Sequence, residues 1–252
     1  MTKLTDKCYL LGEAAEWDGA DMVQLREVLV SVIEEFNRAI GESPSPDKDL
    51  YIMPDSNLGH PMCSNCGDQR IIYLSARHNR WSQYIYQFAH EYCHHLIDGP
   101  MDGELNTSFW FEETICETAS LYFLVAISKR WELRKDTHPL LREFAYHNLT
   151  YVNDFVQRNG RIDATIPEWI NNNIETLSQP QYHRDLYARL AIELVDAFER
   201  NPSLWTIIPF LQRPSAEDYL SFEYFIKDIV RLRSENNSQV AYDDFRTLVV
   251  ED

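Results

Sequence analysis

Basic residues are scarce in this chain. Over 252 residues, 23 Lys and Arg stand against 40 Asp and Glu, a formal net charge of −17. A polyanion is held by clustered Lys and Arg, and no basic stripe occurs, so no nucleic-acid partner is expected. Cysteine is sparse too: five residues, an odd number at irregular spacing, do not make a disulfide framework. No uninterrupted apolar run is long enough to cross a bilayer. Residues 1–18 carry scattered acids in place of the apolar stretch of a secretion signal. Internal repeats and low-complexity tracts are missing as well. These absences fit a reduced, cytoplasmic protein with no membrane partner. What is present is core-forming material, 44% hydrophobic residues with 6 Trp, 14 Tyr and 12 Phe, enough for one large domain or two tightly packed lobes.

In chain order, Asp21 can cap a helix in which Met22, Leu25, Val28, Leu29, Val32, Ile33, Phe36 and Ile40 recur at helical spacing, and Gly41 stops it. Gly41-Glu42-Ser43-Pro44-Ser45-Pro46 reads as a turn or short linker. Residues 50–54 and 70–75 are short runs of branched and aromatic residues and read as strands. Between them lies Cys63-Ser64-Asn65-Cys66, half of a structural zinc site (with His60 as an added ligand) or a redox dithiol, set against the plainer reading of a turn with two ordinary thiols. Helices are expected over 81–98, ended by Asp98-Gly99-Pro100, then over 110–131 after a reversing loop at 99–108. Further helices are expected at 139–157, 167–176, 184–199, 203–211, 216–234 (with Ser215 as N-cap) and 243–250.

The stretch that carries chemistry is Gln87-Phe88-Ala89-His90-Glu91-Tyr92-Cys93-His94-His95-Leu96, which contains His-Glu-x-x-His. At 3.6 residues per turn, His90 and His94 stand on one helical face, close enough to share a cation. Glu91 can lean toward that cation without binding it and take a proton from water activated there. His95 points off this face and reads as packing. Two imidazoles do not complete a catalytic zinc site, which takes three protein ligands. Downstream, Glu112, Glu113 and Glu117 lie on a second, strongly apolar helix, with eighteen residues between His94 and Glu113. A buried carboxylate there is costly unless paired or metal-bound. Glu112 and Glu113 are rivals for the third ligand, about 100° apart around the helix.

Here the chain resembles the gluzincin metallopeptidases, with spacing most similar to the M1 aminopeptidase branch. Trp110-Phe111-Glu112-Glu113 looks like that branch's Trp-x-x-Glu segment. The resemblance implies that Glu113 is the third Zn²⁺ ligand. It also implies that Glu117, one turn on, accepts the free N–H of a ligand histidine. In the aminopeptidase branch a tyrosine at the start of a later helix donates to the oxyanion, which points to Tyr187, with Tyr182 and His183 as rivals. The family's Lys-Gly after that tyrosine is missing, as is the Gly-x-Met-Glu-Asn segment that recognises a free N-terminus, so exopeptidase activity does not carry over. The similarity covers 81–125.

The expectation is therefore an α+β, predominantly α chain: a zincin-like catalytic unit with a small sheet and a helical C-terminal lobe. The lobes are 1–108, including the His-Glu-x-x-His helix, and 109–252. Its expected function is zinc-dependent hydrolysis of a peptide or protein substrate, with 70–75 as the edge strand along which the substrate lies. The competing reading is a regulatory or binding module that keeps the scaffold without turnover. Substrate identity, endo or exo preference and oligomeric state stay open.

Overall fold

The computed structural model describes residues 1–41, 47–55, 59–97, 109–179, 181–211, 222, 225, 226, 229 and 240–250. The expected linker at 41–46 beyond Gly41, the helix end at 98–100, the loop at 99–108, the Ser215 cap and most of the helix at 216–234 lie outside the described residues.

Five strands, β1 (Thr2–Thr5), β2 (Cys8–Leu10), β3 (Asp49–Pro54), β4 (Met62–Cys66) and β5 (Gln69–Leu74), form one mixed sheet in the order β1-β2-β3-β5-β4. The centre is parallel (β2, β3, β5), and β1 and β4 close the two edges antiparallel. Burial alternates along β3 and β5: Leu50, Ile52, Ile72 and Leu74 face the core. β4 and β5 form a hairpin across Gly67-Asp68. Gly67, at φ +60°, takes the first turn position, which in a two-residue hairpin favours glycine.

This topology corrects one expectation. Residues 70–74 lie in β5, inside the sheet between β3 and β4, so its backbone is spent on two neighbours; the edge strands are β1 and β4. It also decides the Cys-x-x-Cys motif, which lies on β4 and not in a turn. Residues three apart on a strand face opposite sides, and Cys63 is buried while Cys66 is exposed. The two thiols do not converge on a metal or a disulfide.

Helices α1 (Met22–Ile40), α2 (Trp81–Ile97), α3 (Phe109–Leu133), α4 (Pro139–Asn159), α5 (Ile166–Leu177) and α6 (Arg184–Arg200) make up most of the rest, followed by a 3-10 segment (Pro202–Phe210) and α7 (Val240–Val249). Asp21 caps α1, accepting the backbone N–H groups of Val23 and Gln24. Gly41 ends it at φ +81°. Thr165 and Glu168 form a capping box at α5. α3 is apolar on nearly every face and touches α1, α2, α4 and α6, as a helix running through the core must. The buried apolar residues form one contiguous cluster on both sides of the 108/109 boundary. Among the described residues, no helix is long and apolar enough to cross a membrane.

α2 is tied on both flanks. Gln87 accepts the backbone N–H of Ser75 at 3.0 Å and of Ala76 at 2.9 Å, which fixes the end of β5 against the helix. From the other side Ser120 of α3 donates to the Tyr86 carbonyl at 2.9 Å. The helix bearing His90, Glu91 and His94 is thus clamped between the sheet and the central helix.

Candidate metal centre

Helical periodicity stacks Tyr86, His90 and His94 four residues apart on one face of α2, turned toward the first turns of α3. Glu113 meets both rings. Its Oε2 lies 3.4 Å from His90 Nε2 and its Oε1 lies 3.2 Å from His94 Nε2. The outer nitrogens are also matched to acids. His90 Nδ1 is 3.4 Å from Glu117 Oε2, and His94 Nδ1 is 2.7 Å from Glu112 Oε1. The adjacent pair Glu112 and Glu113 is thereby divided: one carboxylate bridges the inner nitrogens, the other orients one ring from outside. Tyr86 donates to the second oxygen of Glu117, extending the chain of contacts by one residue. Sequence reasoning missed Tyr86, although its position one turn before His90 was a readable signal.

Burial and charge shape the protonation of this cluster. Desolvation pulls the His90 imidazole down, yet hydrogen bonds to Glu113 and Glu117 and the Glu91 charge outweigh it and lift the group to about 10. His94 is raised for the same reason by Glu113 and Glu112, against its own burial. Glu113 is the complement: burial raises its carboxyl, and the two imidazoles more than reverse this and hold it well below the usual range. Glu91 is buried, and desolvation lifts its carboxyl despite both imidazoles and the Cys63 backbone N–H it accepts.

The donors fit a divalent cation. A carboxylate on each Nδ1 fixes the tautomer that leaves Nε2 free to ligate, and a cation would take the place of the protons now shared with Glu113. A second arrangement is present: His90, His94 and Cys116 each offer a ligand atom, all within 4.8 Å of one another, and could hold a metal ion. Cys116 is fully buried, and desolvation together with the neighbouring Cys93 thiol holds its own thiol well above the usual range.

A cavity of about 440 Å³ opens over the cluster, with His90, His94, Glu91 and Glu113 on its floor and Met62 and Cys63 of β4 on one wall. Tyr182 and Arg184 line the opposite side. The Tyr182 hydroxyl donates to Glu113 Oε2 at 3.2 Å, although the residue as a whole is 54% exposed. Burial and the Glu113 charge raise its phenol. Tyr187 does not reach the cavity. It is 2% exposed, one turn into α6, and its hydroxyl donates to the Gln181 carbonyl at 3.4 Å. Of the rivals near the start of that helix, Tyr182 is the one beside the imidazoles. His95 packs, its ring 5.6 Å from that of Tyr92.

No family model matches the chain, and no curated protein matches it.

Proposed function

We propose that the chain is a zinc-dependent metallopeptidase of gluzincin type on a zincin-like scaffold. One observation carries the reading: a buried carboxylate spans the inner nitrogens of two imidazoles, each oriented from outside by a second acid, on the floor of an open cavity. His90, His94 and Glu113 would hold the ion. Glu113 is preferred to Cys116 because it lines the cavity where a substrate arrives, whereas the Cys116 thiol lies in the core. Zinc suits two imidazoles and a carboxylate. When bound, it polarises a carbonyl oxygen and acidifies water.

The remaining chemistry belongs to the chain. Glu91 takes the proton of the attacking water and returns it to the departing amine; its buried, upward-shifted carboxyl suits a group that must both accept and release a proton. The Cys63 backbone N–H holds that carboxylate in place. Glu117 and Glu112 keep the rings oriented, and Tyr86 holds Glu117. Tyr182 donates its hydroxyl to the charge growing on the carbonyl oxygen, replacing Tyr187 in that role. The substrate lies along β4, whose outer edge borders the cavity.

The test joins metal analysis with a peptide library profiled against wild type and Glu91→Gln. One equivalent of zinc in both proteins, with cleavage only in wild type, is the expected result. Undiminished cleavage in the variant would remove the proposed chemistry. Zinc in both without cleavage in either would favour the regulatory module.

A further inference from the structure

The walls of the cavity are acidic through Glu91, Glu113 and Glu117, with one guanidinium, Arg184, among them. Arg184 is the first residue of α6 and has a second exposure. Together with Tyr86 it also walls a smaller recess of about 220 Å³, so the two spaces meet at this pair. The recess is completed by Arg158 from the last turn of α4 and by Asp185 and Ala188 from the start of α6. Two guanidiniums and one carboxylate therefore face a small polar space beside the candidate active site.

The guanidiniums of this space have no carboxylate at ion-pair distance among the described residues. Elsewhere Arg38, Arg77, Arg130, Arg134 and Arg161 each form an ion pair with a carboxylate. Among the described residues, Arg184 and Arg158 do not: the first donates to the Tyr86 hydroxyl and feels the Glu117 charge beyond it, the second donates to the Asp154 carbonyl at 3.2 Å. In a protein of net charge −17, acids to pair with them are abundant. Both cations also act electrostatically on the Tyr151 hydroxyl, so they share one neighbourhood. The first turn of α6 has no side-chain cap, and its positive end adds to the field that Asp185 partly offsets.

We propose that this recess is a carboxylate-binding subsite of the cavity, in which Arg184 and Arg158 hold an anionic group of the bound peptide. The inference rests on the metallopeptidase reading and deepens it. Guanidinium forks match a carboxylate in shape as well as charge. The group can come from an Asp or Glu side chain or from the peptide's C-terminus.

Equilibrium binding to the zinc-loaded Glu91→Gln protein tests this, using three peptide mixtures. The first contains Asp and Glu with free C-termini. In the second, Asn and Gln replace them; in the third, the C-termini are amidated. Loss of retention with the second mixture identifies side chains as the source, and loss with the third identifies C-termini. Adding Arg184→Gln is expected to weaken retention of the first mixture about tenfold or more, with less than about a twofold change for whichever mixture lacks the recognised carboxylate. Arg158→Gln, at the far wall, gives the same sign and guards against misfolding of the first variant. Equal retention of all three mixtures, or a carboxylate preference that survives both arginine replacements, overturns the proposal. The latter outcome would assign the anion to the metal ion itself. Cleavage by wild type is scored separately: Glu91-dependent turnover without a carboxylate preference removes the subsite and leaves the peptidase reading intact. Carboxylate-selective, Arg184-dependent retention without turnover does the reverse.

Discussion

The two ends of α3 carry charge in opposite ways. Near its C-terminus Arg130 pairs with Glu35 at 3.0 Å, and Arg134, beyond the last turn, reaches Glu34 at 2.7 Å and Asp136 at 2.6 Å; Glu35 is buried and the other groups are partly or largely exposed. Near its N-terminus Glu112, Glu113 and Glu117 are buried and face imidazoles. Water screens the first cluster, and exposed pairs of that kind are worth about 0–1 kcal/mol each. The second cluster has given up its hydration and depends on protons or a cation for compensation. One helix thus ends in dispensable surface pairs and begins in a charged core that would be a liability without a use.

The sharpest way to break this contrast is Glu91→Gln, which should leave the fold and metal in place and lower turnover about 10²–10⁴-fold, the range for losing a positioned acid–base group. Next is Glu113→Ala. It removes the carboxylate that the two imidazoles share, leaving each only its outer acid, and should cost up to about 3–5 kcal/mol in metal-free urea unfolding, with zinc lost on dialysis. Cys116→Ser tests the rival ligand: zinc retained in this variant and lost from Glu113→Ala supports the bridging carboxylate, and the opposite pattern assigns the site to the thiol. At the other end, Arg134→Ala should shift stability by less than about 1 kcal/mol, an effect that fades in high salt.

The contrast has a pH signature as well. His90, with an unfolded value of 6.5 raised to about 10 in the fold, contributes stability in full below 6.5 and loses it as pH rises toward 10. Glu113 is shifted downward, so its share is present above its unfolded 4.5 and is lost on acidification. Metal-free protein should therefore weaken from pH 6.5 to 10. Zinc, freed from competition with protons, should bind more tightly over the same interval. Urea melts at pH 6, 8 and 9.5 with and without chelator will show the two curves diverging; parallel curves would mean the imidazoles do not take part.

Much of this was readable from residue order. Apolar periodicity marked α1 and α2, a nearly continuous apolar composition marked α3, and the i, i+4 offset placed His90 and His94 together. β1, β2 and β4 were not legible: the first two are three or four residues long, and β4 carries Ser64 and Asn65 with no branched residue, so its pairing comes from the neighbouring strand and not from local preference. The choice between Glu112 and Glu113 turns on helix rotation, which spacing does not fix to within one residue; in the structure Glu113 meets the Nε2 atoms of both rings and Glu112 meets the Nδ1 atom of His94. The start of a helix points to Tyr187, whereas Tyr182 precedes α6 and its hydroxyl reaches Glu113. Arg184 and Arg158 lie on different helices, so only folding brings them into one recess.

The split of the Cys-x-x-Cys motif across β4 has a practical outcome. Of the five thiols, Cys66 alone is exposed. A maleimide dye would attach there without mutagenesis, on the same strand that borders the cavity, and a change in its emission on adding peptide would report the docking proposed above.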